Sequence, residues 1–188
     1  MTIYEFPFWL AEVLFAAAWI AVRAVFCICR KKIDRKREAM LLLMYINLAV
    51  LLRIVFFPIE TMNGHVQPLQ FIPSEVLPLR VNLIPFVHIL EFDNRRDTLL
   101  NIIGNVTMFI PTGILLPVLY QKLNSFLKVT VAGALLSLCI ELLQLPFSVR
   151  ASDIDDLLLN TCGCAIGYAL YAGVRKILRR NERPEKAA

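Results

Sequence analysis

Apolar residues run almost unbroken from Phe8 to Cys29, FWLAEVLFAAAWIAVRAVFCIC, with Glu12 and Arg23 as the charges inside the run. A helix needs about 20 mainly apolar residues to cross a hydrocarbon core of about 30 Å, so this run predicts a transmembrane helix. Four further stretches meet the same requirement: 39–57, stopped by Pro58; 99–119; 126–145, ended by Pro146; and 154–173. The expected fold class is all-α, a polytopic membrane bundle of five transmembrane helices.

Polar residues inside the runs fall at helical spacing. Asp153, Asp156, Asn160 and Gly167 follow steps of three, four and seven, which makes one stripe on the fifth helix. Glu141 and Gln144 share a face of the fourth. Asn101, Asn105 and Thr112 align on the third, where Pro111 and Gly113 loosen the helix. Polar groups are costly in lipid and turn toward the bundle interior or a water-filled cavity. Membrane helices also use Asn, Gln and Thr only to bond their neighbours, and Gly163 and Gly167 read as a packing groove. Asp153 reads as a helix cap, with Ser152 as a rival, and Asp155 and Asp156 sit in the first turn, where the helix dipole favours them. Glu141 needs a partner or a proton, and Arg150 is the nearest cation in sequence.

Composition agrees with the spans. Hydrophobic residues make up 58% of the 188-residue chain, against roughly 45–50% in ordinary soluble domains. The net charge of +5 is concentrated in two blocks, 30–38 and 175–186, each abutting an apolar segment. Such blocks set topology rather than bind nucleic acid, so no nucleic-acid partner is expected. Cytoplasmic flanks hold the basic excess, which predicts the N-terminus outside and the C-terminus in the cytoplasm: residues 30–37, Lys122, Lys128 and the tail then lie inside, and Arg80, Arg95, Arg96 and Arg150 outside. Arg23 and Arg53 are expected to snorkel to nearby headgroups. The first run lacks a basic leader and a small-residue cleavage site, so it is expected to be retained. Three domains follow: 1–39, the first helix and its basic loop; 40–173, the membrane domain; and 174–188, a basic tail.

All five cysteines fall inside apolar runs, which argues against a disulfide framework or structural zinc. His65 and His88 have no partner at ligand spacing, so neither a metal nor a cofactor is expected. The 58–98 connection holds VNLIPF, too apolar for a solvated loop, and is expected to lie on the membrane or fold back over the helices.

Asn82-Leu83-Ile84-Pro85-Phe86, Asn101-Ile102-Ile103-Gly104-Asn105, Phe109-Ile110-Pro111-Thr112-Gly113, Glu141-Leu142-Leu143-Gln144, Arg150, Asp153-Ile154-Asp155-Asp156 and Asn160-Thr161-Cys162-Gly163 occur in this order. The ordered set, over residues 40–172, resembles the VanZ-like membrane proteins. Thr112 departs from the aromatic or small residue expected there, and the segment before residue 40 carries no family motif. The resemblance implies a multi-pass protein of the bacterial cell membrane. It also implies lowered susceptibility to lipid-bearing glycopeptides such as teicoplanin, without remodelling of the peptidoglycan terminus.

The residues leave three functions open. One is a non-enzymatic envelope protein with an outward-facing polar pocket of Asn82, Asn101, Asn105, Glu141, Gln144, Arg150, Asp153, Asp156 and Asn160, its partners being membrane lipids or lipid-linked cell-wall precursors. Another is an enzyme acting on a lipid headgroup or polyprenyl-linked glycan. Glu141, Asp153 and Asp156 would then be its catalytic candidates, as acid, base or cation ligands, and Arg150 would hold a phosphate. The last is a small lipid transporter, disfavoured by the absence of an inverted repeat.

Overall fold

The computed structural model describes residues 3–29, 34–57, 61–62, 64–77, 81–86, 95–147 and 152–181. Among the described residues, five helices are long and apolar enough to cross a membrane: α1 (Phe8–Cys29), α2 (Arg35–Phe56), α3 (Arg95–Leu119), α4 (Phe126–Gln144) and α5 (Ile154–Asn181). The expected runs are all present, and the differences lie at their ends. α2 starts four residues early because Asp34 caps it, accepting from Lys36 N and Arg37 N at 3.0 and 3.4 Å. α3 begins at Arg95 and carries both Pro111 and Pro117 in its interior. α5 runs eight residues beyond its apolar stretch, through Arg175, Lys176, Arg179 and Arg180. Those are good helix formers, and cations favour the negative end of the helix dipole.

The all-α expectation needs one correction in the connections. Tyr4–Phe6 (β1) pairs antiparallel with Leu69–Phe71 (β4), and Thr61–Met62 (β2) with His65–Val66 (β3). Val81–Asn82 (β5) pairs parallel with Ser152–Asp153 (β6). Each partner is two or three residues long, too short to leave an alternating pattern in the sequence.

The chain divides into two compact units, residues 1–85 with 138–154, and residues 86–137 with 155–188. In the first unit aromatic side chains join α1 to α2. Phe15 stacks on Tyr45 with ring centroids 5.4 Å apart, and Phe8 meets Phe57 edge-on at 5.2 Å. The two arginines expected to snorkel have protein partners. Arg23 forms an ion pair with Glu38 across α1 and α2, while Arg53 donates to Phe57 O at 3.2 Å and lies over the Phe8 ring. No α1 residue is buried, and Trp9, Val13, Leu14, Ile20 and Val25 stay exposed, as suits a helix facing lipid.

The second unit is built on small residues. A Cβ on Gly163 would meet the Val106 carbonyl, one on Gly167 the Ile110 carbonyl, and one on Gly113 the Cys164 backbone. Backbones of α3 and α5 therefore touch, and the packing groove expected at Gly163 and Gly167 is present. Cys164 is fully buried, its Sγ 3.6 Å from Phe109 O.

Candidate functional site

In the first unit the polar side chains gather where the C-terminal end of α4 meets β6 and β5. Glu141 is 4% exposed, and its Oε2 accepts the Asp153 backbone N–H at 3.0 Å. The Asp153 carboxylate takes the Asn82 amide, Nδ2 to Oδ1, at 3.2 Å. Asn82 then accepts from Ile84 N at 3.1 Å, shaping the VNLIPF turn. Gln144, one helical turn beyond Glu141, donates to Val55 O at 2.9 Å and ties α4 to α2. Glu141 and Gln144 are buried and the intervening Leu142 and Leu143 are exposed, as their three-residue spacing requires.

Leu83, Ile84 and Phe86 are exposed despite being apolar.

The second unit holds a separate polar group. Asn105 Nδ2 donates to Asp156 Oδ1 at 2.7 Å and to Asn101 Oδ1 at 3.5 Å, which joins α3 to α5. Asp155, 2% exposed, accepts the Phe86 backbone N–H at 2.7 Å. Phe86 holds φ at 69°, an unusual conformation for an aromatic residue, and the Asp155 bond helps fix it. Deeper in, Asn160 donates to Ser137 Oγ at 2.9 Å. Asn160 Oδ1 is buried with no hydrogen-bond partner among the described residues.

The expected residues therefore sort by unit. Asn82, Glu141 and Asp153 come together in the first, and Asn101, Asn105 and Asp156 in the second. Gln144 and Asn160 bond elsewhere, to Val55 and Ser137. Asp153 stands in β6, directly before the first residue of α5. Arg150 and His88 lie outside the described residues, and so does any ion pair between Arg150 and Glu141. Among the described residues no three His, Cys, Asp or Glu side chains are grouped as metal ligands would be.

Two residues of these clusters were missed by sequence reasoning. The sequence presents Asp155 only as a helix-dipole residue, since nothing local announces a partner 69 positions away. Ser137 is the one serine in the apolar run 126–145. A signal for it existed, because it stands four residues before Glu141 and so shares its helical face.

The VanZ/LLP1 family model matches residues 41–178. The chain belongs to the VanZ/LLP1 family. Protein VanZ of Enterococcus faecium is 37% identical over 91 residues, covering 48% of this chain and 52% of that protein. The chain thus spans about half the length of this curated relative. No solved structure matches the chain. VanZ/LLP1 membership and five apolar helices make it a multi-pass membrane protein. Both polar clusters fall inside the VanZ/LLP1 match, and α1 lies outside it.

Proposed function

We propose that this VanZ/LLP1 member is a bacterial cell-envelope protein that lowers susceptibility to lipid-bearing glycopeptides such as teicoplanin, with Glu141 and its neighbours as the ligand-contacting group. The observation that carries the reading is Glu141 itself. A carboxylate this buried on a membrane helix is expensive, and such residues mark function by default. Its hydrogen bond to a backbone N–H, together with Asp153 and Asn82, holds acceptor oxygens in fixed positions. Fixed carboxylate acceptors suit a ligand rich in hydroxyl, amide or ammonium donors, such as a glycopeptide or a lipid-linked wall precursor.

The reading sets the N-terminus outside, which puts the Glu141 end of α4 at the outer surface. The charge pattern supports this, since the basic block before α2 and the basic end of α5 then both face the cytoplasm. In a chain otherwise free of cysteine, a membrane-impermeant maleimide is expected to label His65→Cys in intact cells and Arg179→Cys only after permeabilisation. The opposite pattern would reverse the topology.

Teicoplanin bound to intact cells is expected to fall when the protein is expressed. Clear protection with unchanged drug binding would contradict an access mechanism.

A further inference from the structure

α5 is longer than the membrane requires. At about 1.5 Å per residue its 28 residues extend about 42 Å, against a hydrocarbon core of about 30 Å. The turns after Gly173 therefore emerge at headgroup depth. Arg175, Lys176, Arg179 and Arg180 occupy them, and the four line a groove of about 440 Å³ with Asn124, Tyr168 and Tyr171.

Among the described residues, no acidic side chain lines this groove. Positions 175 and 179, and 176 and 180, are four apart on the helix, where like charges repel. An anion seated among them would remove that repulsion. The groove is also organised beyond simple charge. Arg175 lies over the Tyr171 ring, 6.0 Å from its centroid, and its Nη1 donates to the Tyr171 hydroxyl at 3.4 Å. Tyr168 donates to Asn124 Oδ1 at 3.4 Å and stands against Phe126, centroids 6.1 Å apart. The ring and its hydroxyl position the Arg175 guanidinium, whose remaining N–H groups are donors that phosphate oxygens accept. Tyrosine is at home where apolar chain meets polar headgroup.

We infer that this groove binds the phosphate headgroup of an anionic phospholipid, a site distinct from the Glu141 cluster and independent of the function proposed for it. Headgroup depth, cationic lining and tyrosine walls together favour a membrane lipid over a soluble anion.

The test uses the purified full-length protein in neutral detergent, offered equimolar phosphatidylglycerol and phosphatidylcholine and read by native mass spectrometry. Phosphatidylglycerol adducts are expected to exceed phosphatidylcholine adducts by about tenfold, a difference of about 1.4 kcal/mol. The double variant R175Q/R179Q is expected to lose most of that preference. R35Q/R37Q, which removes the same charge at the start of α2, is expected to keep it. Equal binding of the two lipids, or equal loss in both double variants, would overturn the inference. So would displacement of the lipid by millimolar inorganic phosphate, which would make the groove a site for a soluble anion.

Discussion

A leucine at Gly163 is expected to remove most of the protein from the membrane fraction. The position has no room for even a Cβ, which would press on the Val106 carbonyl and lie 3.0 Å from Phe109 Cβ. Backbone cannot rotate out of the way as a side chain can, so α3 and α5 would have to separate. Overpacking costs about 1–3 kcal/mol where side chains can adjust, and more is expected here because main chain is struck. That is a large share of the roughly 5–15 kcal/mol that stabilises a typical fold. Gly167→Leu and Gly113→Leu should behave alike, since both meet backbone. Gly104→Ala and Gly173→Ala should leave abundance unchanged, because a Cβ at either meets nothing within 4 Å. Immunoblots of membranes and heat-aggregation curves in detergent would check this. Wild-type abundance and heat resistance in Gly163→Leu would show that the close approach of α3 and α5 is not needed.

Two substitutions at Glu141 are expected to separate its structural work from its function. Glutamine keeps one carbonyl oxygen for the Asp153 N–H while replacing the other oxygen with an amide group and removing the charge, so Glu141→Gln should reach the membrane at near wild-type levels. Leucine takes away the acceptor and strands a buried donor, a loss of about 1–3 kcal/mol. Glu141→Leu should therefore fall in abundance and in thermal stability. Equal stability of the two variants would mean that the Glu141–Asp153 bond contributes nothing to the fold.

Length and periodicity made the five spans legible. α1 matches the expected 8–29 run, and α4 the 126–145 run to within one residue, because a membrane span announces itself through composition alone. The inward face of α4 was equally clear from the spacing of Glu141 and Gln144. Their partners were not, since a backbone N–H at Asp153 and a backbone carbonyl at Val55 leave no mark in the sequence. The Glu141–Arg150 pair, which side-chain charge alone suggests, falls on a residue outside those described. The burial of Asp155 escaped because its partner is likewise main chain, that of Phe86. The extension of α5 was hidden by reading the end of apolarity as the end of helix. Once α5 leaves the core its arginines and lysine have water and headgroups to meet, and the helix continues.

Protection is expected to depend on the carboxylate of Glu141. The decisive measurement is teicoplanin susceptibility of a sensitive bacterial host expressing the wild type or Glu141→Gln at equal membrane abundance. The account predicts that the wild type protects and that Glu141→Gln leaves the host as sensitive as cells without the protein. Full protection by Glu141→Gln, or no protection by abundant wild type, would contradict it.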